Sequence, residues 1–282
     1  MKVNLQYLSE QKSLLKQYLI REFPLASSVS LRRPIFILGS SRSGTSILFK
    51  ILEAHPYLHG FSENDLVRKQ IFKIVGKSNS VEEQLPTLAK TIVRLSGIKS
   101  GERLLEKSPG HSLLAQSLAD CFMDAQFIHI VRDGRDVAFS MLGHDWISTG
   151  LRGERKVFWF KLLPDQFQKQ WRNLSPWERG VLRWAVYVSK AREVSSYEDR
   201  YLEIRYEDLC NSPYSYIENA LSFLQLPVFS ELSSRVSQIA SHKRKRWEDR
   251  GLTAQEESFY QEVVSVFALD RKMPNNLNTN RI

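Results

Sequence analysis

The chain has 282 residues, with 40 Lys and Arg against 31 Asp and Glu for a formal net charge of +9, so it is long enough to bury a full core. Its two cysteines, Cys121 and Cys210, exclude a disulfide framework and a zinc-binding cysteine cluster, and they suit a reducing compartment. The moderate positive field would attract anionic ligands, but the basic residues are dispersed apart from HKRKR (242–246) and form no recognised nucleic-acid module, so no nucleic-acid partner is expected.

In chain order, Leu5, Leu8, Leu15, Leu19 and Phe23 predict an amphipathic N-terminal helix within residues 1–30, docked on the body of the protein. Its apolar run SLLKQYLI is interrupted by Lys16 and Gln17 and is too short to cross a bilayer; without a secretory signal, a cytoplasmic protein is expected. No Pro/Ser-rich linker divides the chain, which reads as a single domain over 1–282. A strand at 34–39 and a helix at 44–54 flank GSSRSGTS (39–46), a turn that puts backbone N–H groups at the positive end of a helix dipole. Gly39 and Gly44 have the spacing of the G-x-x-x-x-G-K-[ST] loop of kinases and ATPases, yet Thr45 stands at the lysine position. Arg42 instead brings a cation into the loop beside the hydroxyls of Ser41, Ser43, Thr45 and Ser46, which suits a donor with a short phosphate-like tail.

Helices are predicted at 64–75, 81–96 and 111–120, with a strand at 102–106 between the last two. A further strand at 126–131 leads into RDGRDVAFSM and a helix at 134–145. Where an NTPase offers an Asp for magnesium, this strand end offers Arg132, whose fork suits phosphate oxygens, with the Ser140 hydroxyl two helical turns on. Two anion sites at two strand ends fit a nucleotide phosphorylated at two places, and Asp133, Arg135 and Asp136 are read as fixing the turn. Residues 143–177 mix Trp146, Phe158, Trp159, Phe160, Trp171 and Trp177 with Arg152, Arg155, Lys156 and Lys161, the composition of a helical acceptor lid or of a helical subdomain with aromatics as core. After a helix at 178–197 and a strand at 201–205 the chain reads helical, with Pro213 opening one helix and Thr253 capping another ahead of Glu256. The alternation predicts an α/β, P-loop-like three-layer fold with a central parallel sheet flanked by helices, right-handed crossovers and ligand at the carboxyl ends of the strands.

The GSSRSGTS loop and VRDGRDVAFSM together resemble the sulfotransferases that use 3'-phosphoadenosine 5'-phosphosulfate (PAPS). LEAHP (52–56), KSP (107–109) and RYEDL (205–209), in that order, place the resemblance in the branch shared by tyrosylprotein and many bacterial sulfotransferases, over residues 34–210. It implies that amides from Ser43 to Ser46 hold the 5'-phosphate, that Arg42 shares the sulfonate, and that Arg132 and Ser140 take the 3'-phosphate. Lys107 is implied against the transferred sulfuryl group and the bridging oxygen. Tyr206 is similar to a position near the adenine, or is a core tyrosine; Lys243, Arg244 or Arg246 closes over the nucleotide, or belongs to a solvated charge run. Glu63 is the candidate base, because its spacing from Arg42 matches the catalytic glutamate of the tyrosylprotein sulfotransferases, although Phe61 and Ser62 stand where that family tends to have Gly and Glu. Its alternative role is to cap the helix 64–75, and His55 and His59 are rival bases. PAPS is the expected co-substrate without metal, since a sulfuryl group carries one negative charge fewer than a phosphoryl group, and the acceptor is a hydroxyl on a small molecule, saccharide or lipid. Two other readings stand beside this one: a nucleotide kinase with a degenerate loop, and a nucleotide or polyanion binder without turnover.

Overall fold

The computed structural model describes residues 32–76, 81–99, 101–142, 144, 159–237, 239 and 246–270. The expected N-terminal helix, Trp146 and Phe158 of the expected lid, and Lys243 and Arg244 lie outside the described residues. Five strands form one parallel sheet: β1 (Ile35–Leu38), β2 (Leu58–Ser62), β3 (Arg103–Lys107), β4 (Gln126–Val131) and β5 (Tyr201–Arg205), in the order β2-β3-β1-β4-β5. The central strand IFIL is apolar throughout and buried at every position, as expected where helices cover both faces of a parallel sheet.

Alternation along β1 sorts the core into two layers. Ile35 and Ile37 pack with Leu48, Leu52, Ile128 and Ile204, while Phe36 and Leu38 pack on the other face with Ile71, Ile92, Leu118 and Phe127. Helices α1 (Thr45–Leu52), α2 (Asp65–Gly76), α3 (Val81–Ser96), α4 (Ala115–Cys121) and α5 (Gly134–Met141) connect the first four strands or follow them. The short α6 (Asp165–Gln170) precedes α7 (Pro176–Ala191), which starts at a capping box between Ser175 and Glu178 with Pro176 in its first turn. Beyond β5 lie α8 (Tyr206–Asn211), α9 (Pro213–Phe223), α10 (Leu232–Val236), α11 (Arg246–Arg250) and α12 (Ala254–Val266). Pro213 opens α9 and the Thr253–Glu256 capping box opens α12, both as the sequence predicts.

Two expectations need correction, and one alternative is resolved for the described residues. The strand β2 was not predicted: only Leu58 of LHGFS is buried, so no hydrophobic pattern marks it, and its pairing with β3 makes it a strand. The helix expected at 111–120 is a 3-10 turn over Pro109–Leu114 followed by α4, with Pro109 in the first turn of the 3-10 segment. Of the two readings of 143–177, core fits the described tryptophans: Trp159, Trp171 and Trp177 are buried in a helical cluster with Val137, Met141, Trp184, Phe259 and Val263, and the half-buried Phe160 packs against it. Among the described residues no helix is long and apolar enough to cross a membrane.

The order of the strands decides where a ligand can sit. From β1 the chain builds β2 and β3 to one side, then crosses to build β4 and β5 on the other, which opens a crevice at the carboxyl end of β1.

Candidate active site

Residues 39–44 turn from β1 into α1 at that crevice. Gly44 is the N-cap of α1 at φ +98° and offers no side chain to the first turn, so the leading amides of the helix stay available to an anion. Only glycine fits there: a Cβ would lie 2.5 Å from Cδ2 of Tyr206. The Ser43 N–H donates to the Ser40 carbonyl at 3.1 Å, which closes the turn. Ser40, Ser43 and Thr45 are buried, and the Ser43 hydroxyl has no hydrogen-bond partner, while Arg42 and Ser46 are exposed. The hydroxyls that the sequence groups around Arg42 therefore divide, some facing inward and Ser46 facing the crevice.

Lys107 closes β3, and its ammonium reaches back to the loop, donating to Ser46 Oγ at 3.0 Å. It also pairs with the carboxylate of Glu63, which stands immediately beyond β2. The pairing follows from the ladder: Ser62 is in register with Lys107, and the Glu63 N–H donates to the Lys107 carbonyl at 3.1 Å. Glu63 takes φ +48°, a left-handed conformation that costs a non-glycine residue about 1–2 kcal/mol and persists only where the surroundings enforce it. Helix capping is not its role, because Asn64 Oδ1 accepts the N–H groups of Leu66 and Val67. The rival histidines are engaged elsewhere: His55 donates to the Pro227 carbonyl and accepts the Tyr57 N–H, and His59 lies between the Ser96 carbonyl and the Glu102 carboxylate.

On the other side of β1, Arg132 follows β4. Its guanidinium lies 4.8 Å from the Tyr206 ring centroid, 3.3 Å from Asp136 Oδ2 and 3.4 Å from the Arg42 carbonyl. Arg42, at φ +74°, donates from Nε to Ser140 Oγ at 3.0 Å. The structure thus brings Arg42, Ser140 and Arg132 together in one group and Lys107, Glu63 and Ser46 in another, with the loop between them. Arg42, expected beside Lys107 at the sulfonate, has its side chain in the Arg132 group. Tyr206 wedges between Gly44 and Arg132, and burial with a hydrogen bond to Cys210 pushes its phenol up to about 12.

The turn after β4 is held as the sequence predicts. Asp133 caps α5 by accepting the Arg135 N–H at 2.9 Å and grips the Arg135 guanidinium with both oxygens. Burial works against the Arg135 cation, but Asp133 outweighs it and holds the group above its ordinary range. Asp136 accepts the Trp247 N–H at 3.1 Å, which anchors α11 directly after the basic run. No sequence signal marks Trp184, whose indole donates to the Arg132 carbonyl at 3.0 Å, or Ser112, whose hydroxyl accepts the Gly39 N–H at 2.8 Å. Both partners are distant in the chain. Among the described residues no group of three or more His, Cys, Asp or Glu is placed to hold a metal ion.

Comparison with known proteins adds to this geometry. The profile described as "Sulfotransferase family" matches residues 34–231. The protein-tyrosine sulfotransferase of Drosophila melanogaster is 23% identical over 241 residues, 78% of this chain and 44% of that protein. The chain spans about half the length of the curated relatives it matches. Among solved structures, a sulfotransferase domain from the curacin biosynthetic pathway superposes over 86% of this chain and 99% of its own, with a TM-score of 0.59 at 18% identity. The mouse sulfotransferase SULT7A1 complexed with PAP superposes over 85% of each chain, with a TM-score of 0.50 at 15% identity. At these identities the solved structures establish the shared fold.

Proposed function

The chain belongs to the sulfotransferase family, and from that premise we propose that it transfers the sulfuryl group of PAPS to an acceptor hydroxyl, giving a sulfate ester and adenosine 3',5'-bisphosphate. The observation that carries the reading is the meeting of Lys107, Glu63 and the anion loop at the carboxyl edge of the sheet. A structural relative bound to PAP supports the choice of nucleotide. The backbone amides from Ser43 to Ser46 and the Ser46 hydroxyl hold the 5'-phosphate. Arg132, with Arg42 and Ser140, takes the 3'-phosphate, and Tyr206 braces the Arg132 guanidinium from beneath.

Glu63 accepts the acceptor's hydroxyl proton as its oxygen bonds to sulfur. The electrons of the breaking S–O bond pass to the bridging phosphate oxygen, where the Lys107 ammonium neutralises the growing charge. Lys107 and the first-turn amides of α1 supply at the transferred group the positive charge that a metal supplies in phosphoryl transfer, so the proposed step runs without metal. The unit is proposed as one domain acting on a small-molecule, saccharide or lipid hydroxyl. A cytoplasmic location suits two buried cysteines outside any disulfide, of which Cys121 is pushed by burial to a pKa of about 11 and stays a protonated, unreactive thiol.

The test is calorimetric binding of adenosine 3',5'-bisphosphate without metal, against ATP with magnesium, for wild type and Arg132→Ala. Metal-independent binding that collapses in the variant is the expected result. Preference for magnesium ATP, or indifference to the substitution, would return the chain to the kinase reading.

A further inference from the structure

Directly before Lys107, Glu106 places a carboxylate in the apolar layer on the Phe36 face of the sheet, where it is fully buried. A lone charge there is untenable, and two groups from the following turn meet it. Ser108 Oγ donates to Oε1 at 2.8 Å, and His111 Nδ1 contacts Oε2 with its ring edge-on to Phe36. His111 is also fully buried, and the Pro109–Leu114 turn that carries it presents Ser112 one residue later. Ser112 Oγ is bonded to both polar atoms of Gly39, accepting from N–H at 2.8 Å and donating to C=O at 3.2 Å. Gly39 is where β1 becomes the anion loop.

We propose that the buried Glu106–His111 pair is a positioning device that fixes the Pro109–Leu114 turn and, through Ser112, holds the mouth of the anion loop in one frame with Lys107. The argument is one of rigidity. Lys107 is set by β3, whereas the loop is set by β1, and phosphate recognition by backbone amides demands that the two keep their spacing to a fraction of an ångström. An apolar pair would pack the same space, since replacing a buried ion pair with hydrophobic residues of similar volume is often neutral for stability. What such a pair lacks is an acceptor for Ser108 Oγ, whose directional hydrogen bond to Glu106 orients the turn.

This inference rests on the proposed donor, and the experiment separates the two. Adenosine 3',5'-bisphosphate uses both anion groups, while adenosine 3'-monophosphate uses only the Arg132 group. Both are titrated calorimetrically into wild type, the double variant Glu106→Leu/His111→Leu, Ser112→Ala and His111→Asn. In the double variant and in Ser112→Ala, bisphosphate affinity is expected to fall about tenfold or more while 3'-monophosphate affinity stays within about twofold. His111→Asn keeps a donor at the Nδ1 position and is expected to restore bisphosphate binding. Unchanged bisphosphate affinity in Ser112→Ala, or equal losses for both nucleotides, would overturn the positioning role while leaving the donor intact. A wild-type protein that binds neither nucleotide would overturn the donor reading and this inference with it.

Discussion

The Lys107–Glu63 pair is asymmetric in a way that fixes the sign of a stability experiment. The Lys107 side chain is 4% exposed and that of Glu63 is 57% exposed, so the two charges do not share one environment. Glu63→Gln leaves a desolvated ammonium with Ser46 Oγ, 3.0 Å away, as its remaining anchor. Breaking a fully buried pair costs about 3–5 kcal/mol, and with water able to reach the vacated side the expectation drops to about 1–3 kcal/mol. Lys107→Met removes the buried charge and leaves a carboxylate that water solvates, while the thioether packs towards Phe49, whose ring the ammonium now overlies at 5.9 Å. That change is expected to cost no more than about 1 kcal/mol. The double variant should match Lys107→Met. The assay is urea unfolding followed by tryptophan fluorescence, comparing midpoints at constant slope. If Lys107→Met is destabilised as much as Glu63→Gln, the ammonium is not in a desolvated site and the placement of the pair is wrong.

Gly44→Ala puts a methyl group 2.5 Å from the Tyr206 ring at φ +98°, so we expect a loss of about 2 kcal/mol or more in thermal denaturation and no calorimetric binding of the bisphosphate. Trp184→Phe removes the indole bond to the Arg132 carbonyl together with part of the ring's packing on Tyr260, and should weaken binding of adenosine 3'-monophosphate while sparing adenosine 5'-monophosphate in the same titration. Burial lowers the pKa of His129, which donates from Nδ1 to the Tyr201 hydroxyl at 2.7 Å, despite Glu203 at 3.4 Å. The unfolded chain then binds the extra proton first, so stability contributed by neutral His129 is present above pH about 6.5 and is lost, by up to about 1.4 kcal/mol per pH unit, as pH falls towards the lowered folded value. Urea midpoints between pH 7 and pH 5 should fall for wild type and fall less for His129→Asn.

What the sequence made legible was local. The strands β1, β3, β4 and β5 are short apolar runs ending in polar turns, and the glycines and Arg132 sit within a few residues of those ends. The edge strand β2 has no such pattern, since Gly60 and the half-exposed His59 and Phe61 interrupt it, and pairing with β3 is what creates it. The side-chain partners in the site were hidden for the same reason. Ser140 is 98 residues from Arg42 and Ser112 is 73 from Gly39, so no spacing rule joins them. The tryptophans of 159–177 were ambiguous because core and lid share a composition; burial by α5, α7 and α12 decides for core.

The origin of its lysine is where this loop departs furthest from a kinase loop. A lysine after the second glycine is impossible here, because Thr45 is buried with its methyl group turned to Gly39, where even a Cβ would approach Cγ2 to 2.9 Å. The ammonium comes instead from β3 and lodges on Ser46 from outside the loop. A loop lysine moves with its loop, whereas Lys107 is fixed to the Glu63 backbone by the sheet, through its register with Ser62 and the Glu63 N–H bond to its carbonyl. On the proposed chemistry, the group that takes the acceptor's proton and the group that steadies the leaving oxygen are therefore held at a set separation by sheet hydrogen bonds. On the same proposal, nucleotide recognition through Arg132 and Tyr206 lies across β1, on the β4 and β5 ends. The acceptor must then approach from the β2 side, over Glu63, and residues that select it are to be sought on α2 and the segment leading into it.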